Sequence, residues 1–194
     1  SVAIVAIYRS VLIGCTSEGN KMVRPDIPAV ILDVDIPSST DDLFALQMLY
    51  KYADSDMCRL LGVVVDREGV AGAEVADIMN TYYGHSEVPV GLVREGIENP
   101  SVWIDYSPLP TLSAADGKPM FQRALTDYEA LPDGWKLYRR LLAAEPDHSV
   151  SICSVGFVTA LAQLLQSEAD EYSSLNGIEL VRRKVKAIYV MGGV

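Results

Sequence analysis

Four aspartates fall within ten positions of the stretch "AVILDVDIPSSTDDLFAL" (residues 29–46), at Asp33, Asp35, Asp41 and Asp42. Two carboxylates about 4 Å apart repel by roughly 4 kcal/mol at an effective dielectric near 20, so a fold that gathers them must offset that repulsion. Helix capping and surface exposure account for Asp41 or Asp42. They do not account for Asp33 and Asp35, which lie inside the end of an apolar run. A hard divalent cation does, because carboxylate oxygens are the ligands Ca2+ and Mg2+ prefer. It turns mutual repulsion into shared attraction and keeps the acids ionised.

The elements around the cluster must bring these acids together. "AVILDVD" is too continuously apolar for a strand with one wet face and reads as buried on both. Thr40 is placed to cap a helix running to about Tyr52, with Asp41 and Asp42 in its first turn and apolar residues on most faces. "RLLGVVVD" is a second strand, "AEVADIMNTYYG" a second helix closed by Gly84, and "VPVGLV" a third strand. Residues 94–132 form a long, Pro-bearing excursion that suits a flap, an interface arm or a packed loop. A helix over Gly134 to Ala144, the strand "SVSICSVG", the helix "FVTALAQLLQS" and the strand "VKAIYVMGGV" follow. Strands alternating with helices predict an α/β fold, a mostly parallel sheet covered by helices on both faces. Ligands of such folds bind beyond the carboxyl ends of the strands. "DVDIPSSTDD", "VVDREG", "CSVG" and "YVMGG" should therefore converge on one crevice.

The acidic stretch resembles the Asp-x-Asp-Pro-Gly-x-Asp-Asp signature of the inosine-uridine-preferring nucleoside hydrolases. "GFVTALAQLL" (residues 156–165) is similar to that family's Gly-Pro-Leu-Thr-Asn stretch, and "AIYVMGGV" to its apolar strand ending Met-Gly-Gly. The resemblance spans residues 29–194, three motifs in order. It implies a Rossmann-like hydrolase fold, a Ca2+ ion held by Asp35, Asp42 and the backbone carbonyl of Thr159, and Asp33 orienting the ligands. It further implies that Asp41 is the general base. Asp41 would take a proton from a water held by the cation, and the hydroxide would attack C1′ of a nucleoside or related ribosyl substrate. The bond would break through an oxocarbenium-like transition state that nearby carboxylates stabilise.

Three departures accompany the match. Five residues, "IPSST", separate Asp35 from Asp41 where the signature has three, which widens the turn. Where the family has Gly-Asn after its second strand, this chain has "DREG", which sets Glu68 or Asp66 against ribose. The family also continues well past the Met-Gly-Gly strand, so residues 29–194 are expected to be the N-terminal part of such a domain, apparently truncated. By themselves they should bind metal weakly and turn over nucleosides poorly.

The chain has 194 residues, 49% of them hydrophobic and 22% charged, with a net charge of −10. That acidity argues against a nucleic-acid partner, which needs clustered Lys and Arg. The basic run "VRRKVK" (residues 181–186) reads as a solvated strand entrance. Three cysteines are too few and scattered for a disulfide or zinc framework, and Cys58 and Cys153 read as buried thiols. Cys15 ends "SVLIGC", which looks like a bacterial lipoprotein box. Residues 1–28 are thus a candidate signal or tether with a lipid on Cys15, which implies a periplasmic or membrane-anchored location, the alternative being cytoplasmic. A homo-oligomer is expected. His85 and His148 read as surface or capping residues, and Trp103 and Tyr106 as core cover or base-stacking rings. Met191, Gly192 and Gly193 mark a strand end of close approach. Two rivals remain: a haloacid-dehalogenase-type phosphohydrolase with Asp33 as nucleophile and Asp35 as acid/base, and a non-catalytic metal- or sugar-binding lipoprotein.

Overall fold

The expected alternation of strands and helices is present from the first described element onward. A computed structural model of the chain describes residues 27–97 and 105–192. In it β1 (Ala29–Val34), α1 (Thr40–Asp54), β2 (Arg59–Glu68), α2 (Ala71–Tyr83) and β3 (Val90–Val93) follow in order. After a long connection come α3 (Gly134–Ala144), β4 (Val150–Ser154), α4 (Thr159–Gln166), α5 (Gly177–Lys184) and β5 (Val185–Val190). The strands form one parallel sheet in the order β3-β2-β1-β4-β5. Chain order reverses between β1 and β4, and this switch point is where doubly wound folds open a crevice for ligands.

Side-chain alternation along the strands divides the core in two. Val30, Leu32 and Val34 of β1, with Val63 and Val65 of β2, pack in one cluster with residues of α1 and α2. Ala29 and Ile31 of β1, with Val64 of β2, pack in the other, with residues of α3, α4 and α5. All six residues of β1 are buried, as expected of a central strand covered on both faces. The outer strand β5 differs. Its residues alternate in exposure, and Ile188 and Val190 lie exposed on one face.

Several details depart from the sequence reading. The basic run leads into β5, whose first two residues are Val185 and Lys186, but Val181 to Lys184 before them form the last turn of α5, where positive charge complements the helix dipole. A capping box of Asn176 and Glu179 starts that helix. Ser39, not Thr40, is the N-cap of α1, and the Thr40 hydroxyl is hydrogen-bonded to the Tyr106 hydroxyl at 2.7 Å. Helix α1 is less enclosed than its composition suggested: Leu46, Leu49 and Tyr50 are buried, but Phe44 is 59% exposed. The described part of the 94–132 excursion packs as a loop. Buried Asp77 of α2 accepts bonds from the Ala124 and Leu125 N–H groups and the Tyr128 hydroxyl, and Arg94 bonds Asp133 and the Leu131 carbonyl.

His85 stacks on Tyr50 with ring centroids 4.9 Å apart and bonds Asp54, at the end of α1 away from the aspartates. His148 is exposed at the entrance to β4. Cys58 is buried and Cys153 partly so, and burial pushes both thiols up to about 11. Cys15, Trp103 and Gly193 lie outside the described residues. No helix among the described residues is long and apolar enough to cross a membrane.

Candidate functional site

The end of β1 and the start of α1 bring two carboxylates together. Asp35 follows the last residue of β1, and Asp42 lies in the first turn of α1. Between them the chain turns through Ile36–Pro37, Ser38 and Ser39. The Ser38 hydroxyl donates to the Asp35 carbonyl at 3.2 Å, and the Ser39 hydroxyl donates to Asp42 Oδ2 at 3.0 Å. Tyr106 braces this turn from outside, donating its N–H to the Pro37 carbonyl at 2.8 Å. The Asp35 carboxyl lies within hydrogen-bond reach of Asp42.

Two ionised carboxylates at that distance have no hydrogen to share. Asp42 is 1% exposed and its Oδ1 has no donor among the described residues. Burial, reinforced by the adjacent Asp35, pushes the Asp42 carboxyl up to about 8. The pair thus calls for either a proton or a cation. A hard divalent cation fits the donors: two adjacent carboxylates, one with a buried oxygen left unpaired, offer the oxygens such ions take. Among the described residues no three His, Cys, Asp or Glu side chains are grouped around one point. The side chains therefore supply only part of a coordination shell.

The other aspartates sit differently. Asp33 is fully buried beneath the sheet end, on the α3 face, where the Tyr138 hydroxyl donates to its Oδ2 at 2.6 Å and Oδ1 has no donor among the described residues. Burial, with nearby Asp66, holds its carboxyl well above the usual range against the pull of that bond. Asp66, near the end of β2, is also fully buried. It meets the N-terminus of α4: its Oδ2 accepts the Ala160 N–H at 2.9 Å, Thr159 lies beside it, and its Oδ1 has no donor among the described residues. Burial raises its carboxyl in spite of the bond from Ala160.

Thr159 is thereby placed beside the β2 end, next to Asp66, which holds the following N–H of Ala160. Asp41 is exposed, next to the buried Asp42, and Glu68 is exposed at the end of β2. The structure thus gathers Asp35 with Asp42, and places Asp66, with Thr159 beside it, within electrostatic reach of Asp35. It leaves Asp41 and Glu68 facing solvent.

The loop after β4 closes against the cluster. A Cβ on Gly156 would stand 2.5 Å from the Asp35 nitrogen and 2.7 Å from its Cβ, closer than any side chain can stand. Only glycine fits. Gly156→Ala must displace either the loop or Asp35, and overpacking of this kind costs about 1–3 kcal/mol. Urea unfolding of G156A should show a lower midpoint with an unchanged m-value.

One residue of the site carries no motif in the sequence. Arg67, between Asp66 and Glu68, is 3% exposed. Its Nε donates to the Asp35 carbonyl at 2.9 Å, and its Nη2 donates to Ser38 Oγ at 2.7 Å and approaches Asp35 Oδ2 at 3.4 Å. The guanidinium carbon lies 5.1 Å from the centre of the Phe157 ring. Strand alternation is the available signal, since it turns Arg67 to the face opposite Asp66 and Glu68.

No family model and no curated protein sequence matches the chain. Solved structures do. The type III effector XopQ, crystallised with adenosine diphosphate ribose, superposes with a TM-score of 0.62 at 22% identity, over 88% of this chain and 46% of that one. The plant nucleoside hydrolase PpNRh1 gives 0.55 at 16%, over 87% and 48%. A purine-preferring ribonucleoside hydrolase from Gardnerella vaginalis gives 0.52 at 16%, over 86% and 49%. At these identities the likeness shows the fold: a parallel sheet with helices on both faces, as in nucleoside hydrolases. The chain spans just under half the length of each of these structures.

Proposed function

We propose that the chain contributes the acid-lined part of a hydrolase that cleaves the N-glycosidic bond of nucleosides or related ribosyl compounds. One observation carries this reading. The Asp35–Asp42 pair, a partly buried carboxylate beside a buried one with an unpaired oxygen, lies at the switch point of a fold shared with nucleoside hydrolases. The ribosyl ligand of the XopQ structure is consistent with that substrate class.

Asp35 and Asp42 would hold the divalent cation, for which Ca2+ is the expected ion, with the Thr159 carbonyl as a further oxygen. When bound, such an ion supplies positive charge that makes water easier to deprotonate near neutral pH. Asp41, exposed beside the pair, is the general base that removes the proton. Its exposure gives it access to a water that the buried acids lack. Asp33 does not touch substrate in this account. Clamped by Tyr138, it fixes the end of β1 so that Asp35 keeps its place. Glu68, exposed at the end of β2, can accept a bond from a ribose hydroxyl. Asp66 acts instead by holding the start of α4 at Ala160, next to Thr159.

The phosphohydrolase alternative has no support in this geometry. A nucleophilic Asp33 would have to reach phosphorus, yet it is fully buried with one oxygen bonded to Tyr138. Assaying p-nitrophenyl riboside beside p-nitrophenyl phosphate, with and without calcium, separates the two readings. Release from the riboside alone, slow for these residues by themselves, is expected. Release from the phosphate ester alone would overturn the proposal.

A further inference from the structure

The partly buried Asp35 after β1 already has a positive neighbour. Strand β2 delivers Arg67 to the same side as the β1–α1 turn, and the guanidinium bonds three groups of that turn: the Asp35 carbonyl, the Asp35 carboxylate and the Ser38 hydroxyl. Nothing about it is loose. It is 3% exposed, its Nε and Nη2 are both committed, and the Phe157 ring from the loop after β4 lies against it. The same loop is pressed onto Asp35 at Gly156. Guanidinium and carboxylate are thus held together from two elements. A guanidinium brings its positive charge on a planar fork of donors.

We infer that Arg67 is a built-in competitor of the divalent cation, neutralising Asp35 in advance and so weakening the ion's hold on the Asp35–Asp42 pair. A carboxylate that already bonds a guanidinium offers an incoming cation less attraction, and the fixed positive charge repels that cation directly. Asp42, which has no such partner on Oδ1 among the described residues, is left as the stronger half of the pair. The pair thereby gains tolerance of an empty state, with affinity for the ion set lower than two free carboxylates would give. This inference rests on the cation reading proposed above.

The test is calcium binding, measured by calorimetry on wild type, Arg67→Gln and Arg67→Lys. Glutamine removes the charge and keeps an amide donor for the turn, whereas lysine keeps the charge and loses the planar fork. The expected result is that R67Q binds calcium at least about tenfold more tightly than wild type, and R67K stays within about threefold of it. Should R67Q need calcium to fold, recovery of its far-ultraviolet dichroism on adding the ion supports the same substitution of cation for guanidinium. R67Q binding no tighter than wild type, R67K tightening as much as R67Q, or R67Q staying unfolded in calcium would each overturn the inference. If neither wild type nor R67Q takes up calcium, the cation reading itself falls with it.

Discussion

Asp42→Asn should make the cation-free protein more stable at about pH 8, although it alters a buried polar residue in the first turn of a helix. A carboxyl whose pKa rises on folding is bound to its proton more tightly in the folded chain, so the fold loses stability as pH climbs. For Asp42 the loss starts near the ordinary carboxylate range and continues until about 8. Below that window the proton is present in both states and no difference remains. Spread over this interval the effect amounts to roughly 2–4 kcal/mol.

Opposing terms are smaller. Losing a negative charge from the first turn of α1 forfeits about 0.3–1 kcal/mol of helix-dipole stabilisation. The Ser39 hydroxyl, which donates to Asp42 Oδ2, can still donate to an amide oxygen, and the amide nitrogen gives Asp35 a donor. The gain wins. Urea unfolding in chelator should place the D42N midpoint above that of wild type at about pH 8 and close to it at about pH 4. A variant less stable at both values would mean that Asp42 is already satisfied in the native protein.

The second large effect concerns turnover. Asp41→Asn leaves an exposed side chain of almost the same shape, so stability should hold to within about 0.5 kcal/mol. Removing a general base typically costs a factor of roughly 10²–10⁴ in rate. D41N should lose riboside hydrolysis on that scale while its affinity for ribosyl ligand stays near that of wild type. A fall in kcat with unchanged KM is the pattern expected when an interaction acts only in the transition state. Equal turnover by both proteins would remove Asp41 from the chemistry, and equal binding with no turnover in either would favour a ligand-binding protein.

Much of this arrangement is legible in the amino-acid sequence, for local reasons. An apolar run such as Ala29–Val34 has one economical place in a soluble fold, the middle of a covered sheet, and acids after its last residue must fall at the strand tip. Alternating strands and helices then set the direction of the sheet and hence the end that carries the site. What stays hidden depends on tertiary contacts. Tyr138 meets Asp33 across 105 positions of chain, and no spacing rule links them. Arg67 stands in plain view between Asp66 and Glu68, but its importance depends on where the β1–α1 turn lies.

Local signals are also outvoted. Thr40 and Ser39 are both good caps, and the bond between Thr40 and Tyr106 helps decide between them. Helix α5 is recoverable from local chemistry. Its "NGIE" start is a capping box, and its last turn is basic. The apolar run directly after it gives the stronger signal, and that signal is for a strand.

Calcium-dependent thermal unfolding of the wild-type protein is the most direct check on whether the Asp35–Asp42 pair holds a divalent ion. Binding at a hundred times the dissociation constant adds about 2.7 kcal/mol, which for a chain of this size raises Tm by roughly 5–10 °C. The rise should be largest near pH 8, where the ion meets ionised acids, and much smaller near pH 5, where it must displace a proton. D42N should lose it at both values. Identical melting curves with and without millimolar calcium near pH 8 would contradict the account, because the unpaired oxygen of Asp42 would then have no ion to serve.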